Sequence, residues 1–208
     1  MNYINTLAPS VCLQKTLKRI FHFSGVGVHN GRAVSMSIEP AEVNTGIVFY
    51  RTDLDKNNII KAQIDNVVES RLCTKIKNSS GVYVSTIEHL MAALSALSID
   101  NAIVKINSSE LPALDGSSYE YVKKILSSGT KTQNCSKKIF KVIKKVEVKS
   151  GDRFLSISPS DKLSINISIN YPETIIGHSQ YFIPIHKTIS LTIYQWLELI
   201  LFMKILKK

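Results

Sequence analysis

Hydrophobic and polar positions alternate along most of this chain, and the places where a longer period takes over mark its helices. Val34 to Ile38 runs Val-Ser-Met-Ser-Ile, which predicts a strand with one buried face. Leu13 to Phe23 predicts a strand before it, and Ile47 to Tyr50 a short one after it. Between the first two lies Ser24-Gly25-Val26-Gly27-Val28-His29-Asn30-Gly31. A hairpin turn is the plain reading, although such glycines also let a ligand approach closely. Asn57-Asn58 predicts a turn, and Ile59 to Val68 an extended, irregular run. Leu72 to Ile76 and Val82 to Val84 predict a hairpin joined through Asn78 to Gly81. Then the period changes. Ile87, Leu90, Met91, Leu94 and Leu97 fall at helical spacing, with Ser85 or Thr86 as N-cap and Glu88 in the first turn. Ala102 to Ile106 predicts an apolar strand, and a turn over Leu111 to Ser118 delivers a helix from about Tyr119 to Leu126. Strands, helix, strand and helix make an α+β layer.

Ser127 to Lys138 is polar, contains Gly129, and reads as a domain boundary. Beyond it the β pattern returns at Ile139 to Val148, Phe154 to Ser158, Leu163 to Tyr171 and Tyr181 to Ile185. The alternation of Leu163-Ser164-Ile165-Asn166-Ile167-Ser168-Ile169 is strict, which predicts a half-buried strand. Helices to cover this second sheet barely follow. The expected organisation is therefore a first α+β domain over 12–128, a partial second one over 136–189 made mainly of strands, and an apolar tail over 190–208. Gln195, Glu198 and Lys204 interrupt that tail, which falls short of the roughly 20 apolar residues of a membrane span. An amphipathic or disordered tail is expected instead.

Composition narrows the class. A hydrophobic fraction of 44% and a charged fraction of 20% are those of a soluble globular protein. The net charge of +10 comes from scattered lysines and arginines. It fits an anionic or phosphorylated ligand, an anionic membrane surface, or a well-solvated protein. No nucleic-acid module and no basic stripe interleaved with aromatics is present, which argues against a nucleic-acid partner. Cys12, Cys73 and Cys135 are widely spaced and form no CxxC pair, so neither a disulfide framework nor a cysteine zinc site is indicated. A reducing compartment fits them. Met1 to Val11 lacks a charged start and a long apolar core, so no signal peptide is expected and the cytoplasm is the expected location.

Candidate chemistry centres on Glu88-His89. Neighbouring helix positions diverge by about 100°, so one side chain could bind a metal while the other works beside it. A carboxylate next to an imidazole at a helix start is a candidate metal-and-base pair. A capping glutamate followed by a surface histidine is the alternative that spacing leaves open. The Gly25–Gly31 stretch is not a phosphate-binding glycine loop, since GxGxxG and a Lys-Ser/Thr ending are both absent.

A series of short blocks carries more than periodicity does. In order, they are Thr16-Leu17-Lys18-Arg19, Gly25-Val26-Gly27-Val28-His29, Pro40-Ala41, Asn44-Thr45-Gly46 and Arg51-Thr52-Asp53. Leu72-Cys73-Thr74, Ser85-Thr86-Ile87-Glu88-His89-Leu90, Leu97-Ser98-Ile99-Asp100-Asn101 and Asp115-Gly116-Ser117 follow. In order and spacing these blocks resemble the UDP-3-O-acyl-N-acetylglucosamine deacetylases, zinc enzymes of lipid A synthesis in Gram-negative bacteria. The likeness runs from about Thr16 to Gln180. It implies two α+β domains, each a sheet layered on helices, with the active site between them. It implies His89 as one of three zinc ligands and Glu88 as the general base. Cys73 and His29 fall in blocks that line the family's site, Asp115 in one that supports it, and Arg153 where a basic residue meets the anionic substrate. The implied partner is a UDP-linked acylated amino sugar, with no transmembrane segment and peripheral membrane contact left open.

The resemblance fades near Thr188-Ile189. The family's remaining zinc ligands, a histidine and an aspartate on a later helix, and its general-acid histidine would lie beyond. Ser190 to Lys208 has neither histidine nor aspartate. The expectation is a C-terminally truncated member, through a frameshift, with an incomplete second domain, impaired turnover and weak zinc binding. A monomer or an aggregation-prone chain is expected, and a non-catalytic fragment that binds nucleotide-sugar or a partner is the alternative. His178 and His186, the first suspects as replacement ligands, read as surface histidines, the former in a loop.

Overall fold

A computed structural model describes residues 12–139, 141–173 and 177–184 of the chain. Two units divide between Lys138 and Ile139. In the first, the chain runs through β1 (Leu13–Leu17), β2 (Phe21–Val26), β3 (Ala33–Pro40), β4 (Ile47–Arg51) and β5 (Ile59–Lys61). A short 3-10 turn at Ile64–Asn66 leads to β6 (Val67–Val68), β7 (Lys75–Lys77) and β8 (Tyr83–Ser85). α1 (Glu88–Ala96), β9 (Ala102–Ile106), α2 (Tyr119–Ser128) and β10 (Thr130–Ser136) complete this unit. The second unit holds β11 (Val146–Ser150), β12 (Arg153–Ile157), β13 (Ser164–Tyr171) and β14 (Gly177–Pro184). The fold is α+β, as the pattern predicts.

A five-stranded sheet in the order β2-β3-β9-β4-β5 organises the first unit. It is antiparallel except where β4 lies parallel to β9. Alternation decides what faces inward: Val34, Met36 and Ile38 of β3 are buried, as are Val104 and Ile106 of β9. Leu90, Ala93 and Leu94 of α1 and Tyr121, Val122 and Ile125 of α2 join them in one core. Burying each large apolar side chain contributes about 1.5–3 kcal/mol, which is why the two periods read in the sequence meet in this layer. A smaller sheet, β6-β7-β8, brings the chain to the start of α1.

Two expectations about this unit change. Leu13 to Phe23 is two strands, because the exposed Lys18, Arg19 and Ile20 form a bend. β2 then joins the five-stranded sheet while β1 pairs antiparallel with β10. The polar stretch Ser127 to Lys138, expected as the domain boundary, belongs to the first unit, which ends at its last residue. Its inward-facing residue is Gln133, whose amide donates to Ala41 O at 2.8 Å and accepts from Asn101 at 2.8 Å. Asn101 in turn donates to Gln14 of β1 at 2.8 Å. A strand that buries an amide network looks polar in sequence.

In the second unit β11 pairs with β12 and β13 with β14, both antiparallel. Ile165, Ile167 and Ile169 are half-buried between exposed polar neighbours, in keeping with the strict alternation. None of the described residues from Ile139 onward is buried. His178 sits within β14 opposite Asn170, not in a loop, because the hairpin extends further than apolar content suggests. His186, Thr188-Ile189, the tail from Ser190 and the leader Met1 to Val11 lie outside the described residues. No helix among the described residues is long and apolar enough to cross a membrane.

Candidate functional site

α1 begins at Glu88, one residue after Ile87, which takes the N-cap position without a side-chain cap. Ser85 and Thr86 do not cap it, contrary to the local pattern. The Ser85 hydroxyl donates to Ser109 O at 3.1 Å and the Thr86 hydroxyl to Glu110 at 3.1 Å. Both are committed to the segment after β9. Glu88 is buried, 4% exposed, with Oε2 accepting the Thr74 N–H at 2.9 Å. The first turn of a helix favours that negative charge. His89 is half-buried beside it. Thr74 adds a further feature: its Oγ1 is buried without a hydrogen-bond partner, alone in this among the described residues.

A second carboxylate, missed in the sequence, lies close in the fold. Glu110 is 1% exposed and accepts the N–H of His29 and of Asn30, each at 2.9 Å. With the Thr86 hydroxyl it ties the loop of the β2–β3 hairpin to the start of α1. In sequence Glu110 looks like a solvated residue in a turn. Its one signal is its position between an apolar strand and Leu111-Pro112. The glycines of the hairpin answer to this packing. A Cβ on Gly25 would stand 2.9 Å from Pro112 Cβ, and one on Gly27 would stand 2.6 Å from Glu110 Oε2. What approaches these glycines is the protein itself.

Backbone strain marks the same places. Leu72, Thr86 and Leu114 have φ of 60°, 58° and 52°. Left-handed backbone in β-branched or bulky residues costs of order 1–3 kcal/mol and gathers at functional sites. Leu72 directly precedes Cys73, Leu114 directly precedes Asp115, and Thr86 stands two residues before Glu88.

Shared neighbours link the segments that carry these residues: Glu110 joins the His29 backbone to Thr86, and the Thr74 N–H joins the segment after Cys73 to Glu88. Cys73 is half-buried, its Sγ 2.9 Å from Ser70 Oγ, and adjoins the Thr74 amide on Glu88. His29 is exposed, with its backbone on Glu110. Asp115 is exposed, and its carboxylate accepts Ser117 N–H and Oγ–H at 3.0 Å, shaping the turn into α2. Arg153 opens β12 in the second unit, exposed and paired in register with Ser150. Among the described residues no three His, Cys, Asp or Glu side chains gather where a metal ion could sit. Catalytic zinc takes three protein ligands and a water, so these residues do not make a zinc site by themselves.

The class is thus an α+β protein with a buried glutamate and a half-buried histidine at a helix start. The chain belongs to the LpxC family, UDP-3-O-acyl N-acetylglycosamine deacetylase, whose model matches residues 14–193. It is 41% identical over 167 residues to the UDP-3-O-acyl-N-acetylglucosamine deacetylase of Shewanella frigidimarina. Over the same length it is 40% identical to the protein of that name from Shewanella oneidensis. Each alignment covers 80% of this chain and 55% of the relative. The chain spans about half the length of the curated relatives it matches.

Proposed function

We propose that this chain serves the deacetylation of UDP-3-O-acyl-N-acetylglucosamine in lipid A biosynthesis, with Glu88 as general base. The observation that carries the reading is Glu88, buried at the start of α1 with one oxygen fixed on the Thr74 N–H, in a chain of this family. In amide hydrolysis a water oxygen attacks the acetamide carbonyl and its proton passes to a carboxylate. As the C–N bond breaks the carboxylic acid returns that proton to the departing nitrogen, and acetate and the free amine leave. Glu88 is suited to that proton, since its position is set by backbone. His29 and Cys73 would line the substrate, Asp115 would support the site and Arg153 would meet an anionic group. Zinc enters the proposal only as far as His89, its one ligand among the described residues, and no step is drawn through it. The three cysteines are free thiols, in keeping with a cytoplasmic location.

The test is turnover of that substrate by the purified chain with zinc supplied, with the bound metal counted. The expected result is deacetylation that Glu88→Gln lowers by about 10² to 10⁴, the usual worth of a general base. The absence of a ligand cluster among the described residues favours a second reading, a non-catalytic fragment that binds the nucleotide sugar. Substrate binding without cleavage, together with less than one zinc per chain, would replace the first reading with the second.

A further inference from the structure

Glu110 accepts three neutral donors in a fully buried place, and none of the proposed chemistry uses it. A single oxygen, Oε1, takes both the His29 N–H at 2.9 Å and the Thr86 hydroxyl at 3.1 Å. The other oxygen takes the Asn30 N–H at 2.9 Å. Thr86 is the strained residue leading into Glu88, and His29 tips the β2–β3 hairpin. The backbone around Glu110 is held without its carboxylate: Ser85 N–H donates to Ser109 O at 2.9 Å and Leu111 N–H to Ser85 O at 3.1 Å. The side chain is therefore not needed to join these strands. What it bonds is the hairpin loop, through the His29 and Asn30 N–H groups.

We propose that Glu110 is a positioning residue, setting the His29 loop against the Thr86–His89 segment so that both face one substrate. The proposal rests on the reading that His29, Glu88 and His89 serve one reaction. Two near-isosteric variants of the full chain test it. Glu110→Gln turns an N–H₂ toward a donor N–H, and Thr86→Val deletes the hydroxyl that shares Oε1 with the His29 N–H. In Glu110→Gln, amide hydrogen exchange at His29 and Asn30 is expected to rise about tenfold or more, while Val104 and Ile106 of β9 stay within about twofold. The ¹H–¹⁵N signals of Glu88 and His89 shift as well, and Thr86→Val shifts those of His29 across Glu110. Where the unaltered chain turns over, Glu110→Gln lowers kcat by roughly tenfold to a hundredfold, the scale of a small misplacement, with KM little changed. A rise in exchange that includes β9, or unmoved Glu88 and His89 signals, overturns the proposal, as does unchanged kcat in an active enzyme. No turnover by the unaltered chain sinks the deacetylase reading alone, and exchange and signal shifts still decide Glu110.

Discussion

Gly27 is the more tightly enclosed of the two glycines in the β2–β3 hairpin that face the Glu110–Pro112 segment. An added Cβ there would stand 2.5 Å from Asn30 Oδ1 and 2.6 Å from Glu110 Oε2. Neither atom can yield freely. Asn30 Oδ1 accepts the Arg32 N–H at 2.8 Å, and Glu110 Oε2 accepts the Asn30 N–H at 2.9 Å. Gly27→Ala is thus an overpacking change, expected to cost about 1–3 kcal/mol. At roughly 2–4 °C per kcal/mol for a chain this long, a thermal melt reads it directly. An unchanged melting temperature would mean that the hairpin loop shifts at no cost.

At the scale of elements, the end of β4 is fastened to β8 by one guanidinium. Arg51 donates from Nε and Nη2 to the two oxygens of Asp53 at 2.8 and 2.6 Å, and from Nη1 to Tyr83 O at 2.9 Å. These hydrogen bonds from Arg51 hold the Asp53 carboxyl below its ordinary value. A depressed carboxylate stabilises the fold in full above the ordinary value of about 4. That contribution is lost as pH falls through the lowered value. Asp53→Asn is expected to lower the urea midpoint at neutral pH and to flatten its fall on acidification. Equal acid sensitivity in both proteins would remove Asp53 from the account. Local pattern and element context part company at α1 too: Ser85 and Thr86 are good cap residues whose hydroxyls the segment after β9 has claimed.

At the scale of the whole molecule the two units differ in how they meet water. The first has a continuous core; in the second, Phe154, Ile157, Tyr181 and Phe182 are all exposed by more than half. Two-stranded hairpins are marginal by themselves, and apolar patches of this kind drive association. The full chain is expected to sediment above its monomer mass, more so at high salt, which strengthens apolar contacts. Residues 12–138 should behave better than a piece ended near Ser128, because the latter loses β10 and leaves β1 unpaired. A monodisperse full-length monomer with one cooperative melt would refute the association.

Sequence by itself determined the elements whose signal is local. β9 spans Ala102–Ile106 as its apolar run predicts, α1 follows the spacing of Leu90 and Leu94, and the strict alternation of β13 survives. Side-chain period depends only on backbone geometry and on which face is buried, so it is legible without the fold. The place of Glu88 and His89 at a helix start was legible for the same reason. Tertiary structure alone decided where polar groups find partners. β10 became a strand through Gln133 and Asn101, and the hydroxyls of Ser85 and Thr86 left the helix they precede. Glu110 met the His29 amide from 81 residues away. A buried polar group must be satisfied, but any donor that the fold brings near can satisfy it, so the sequence states the need without naming the partner.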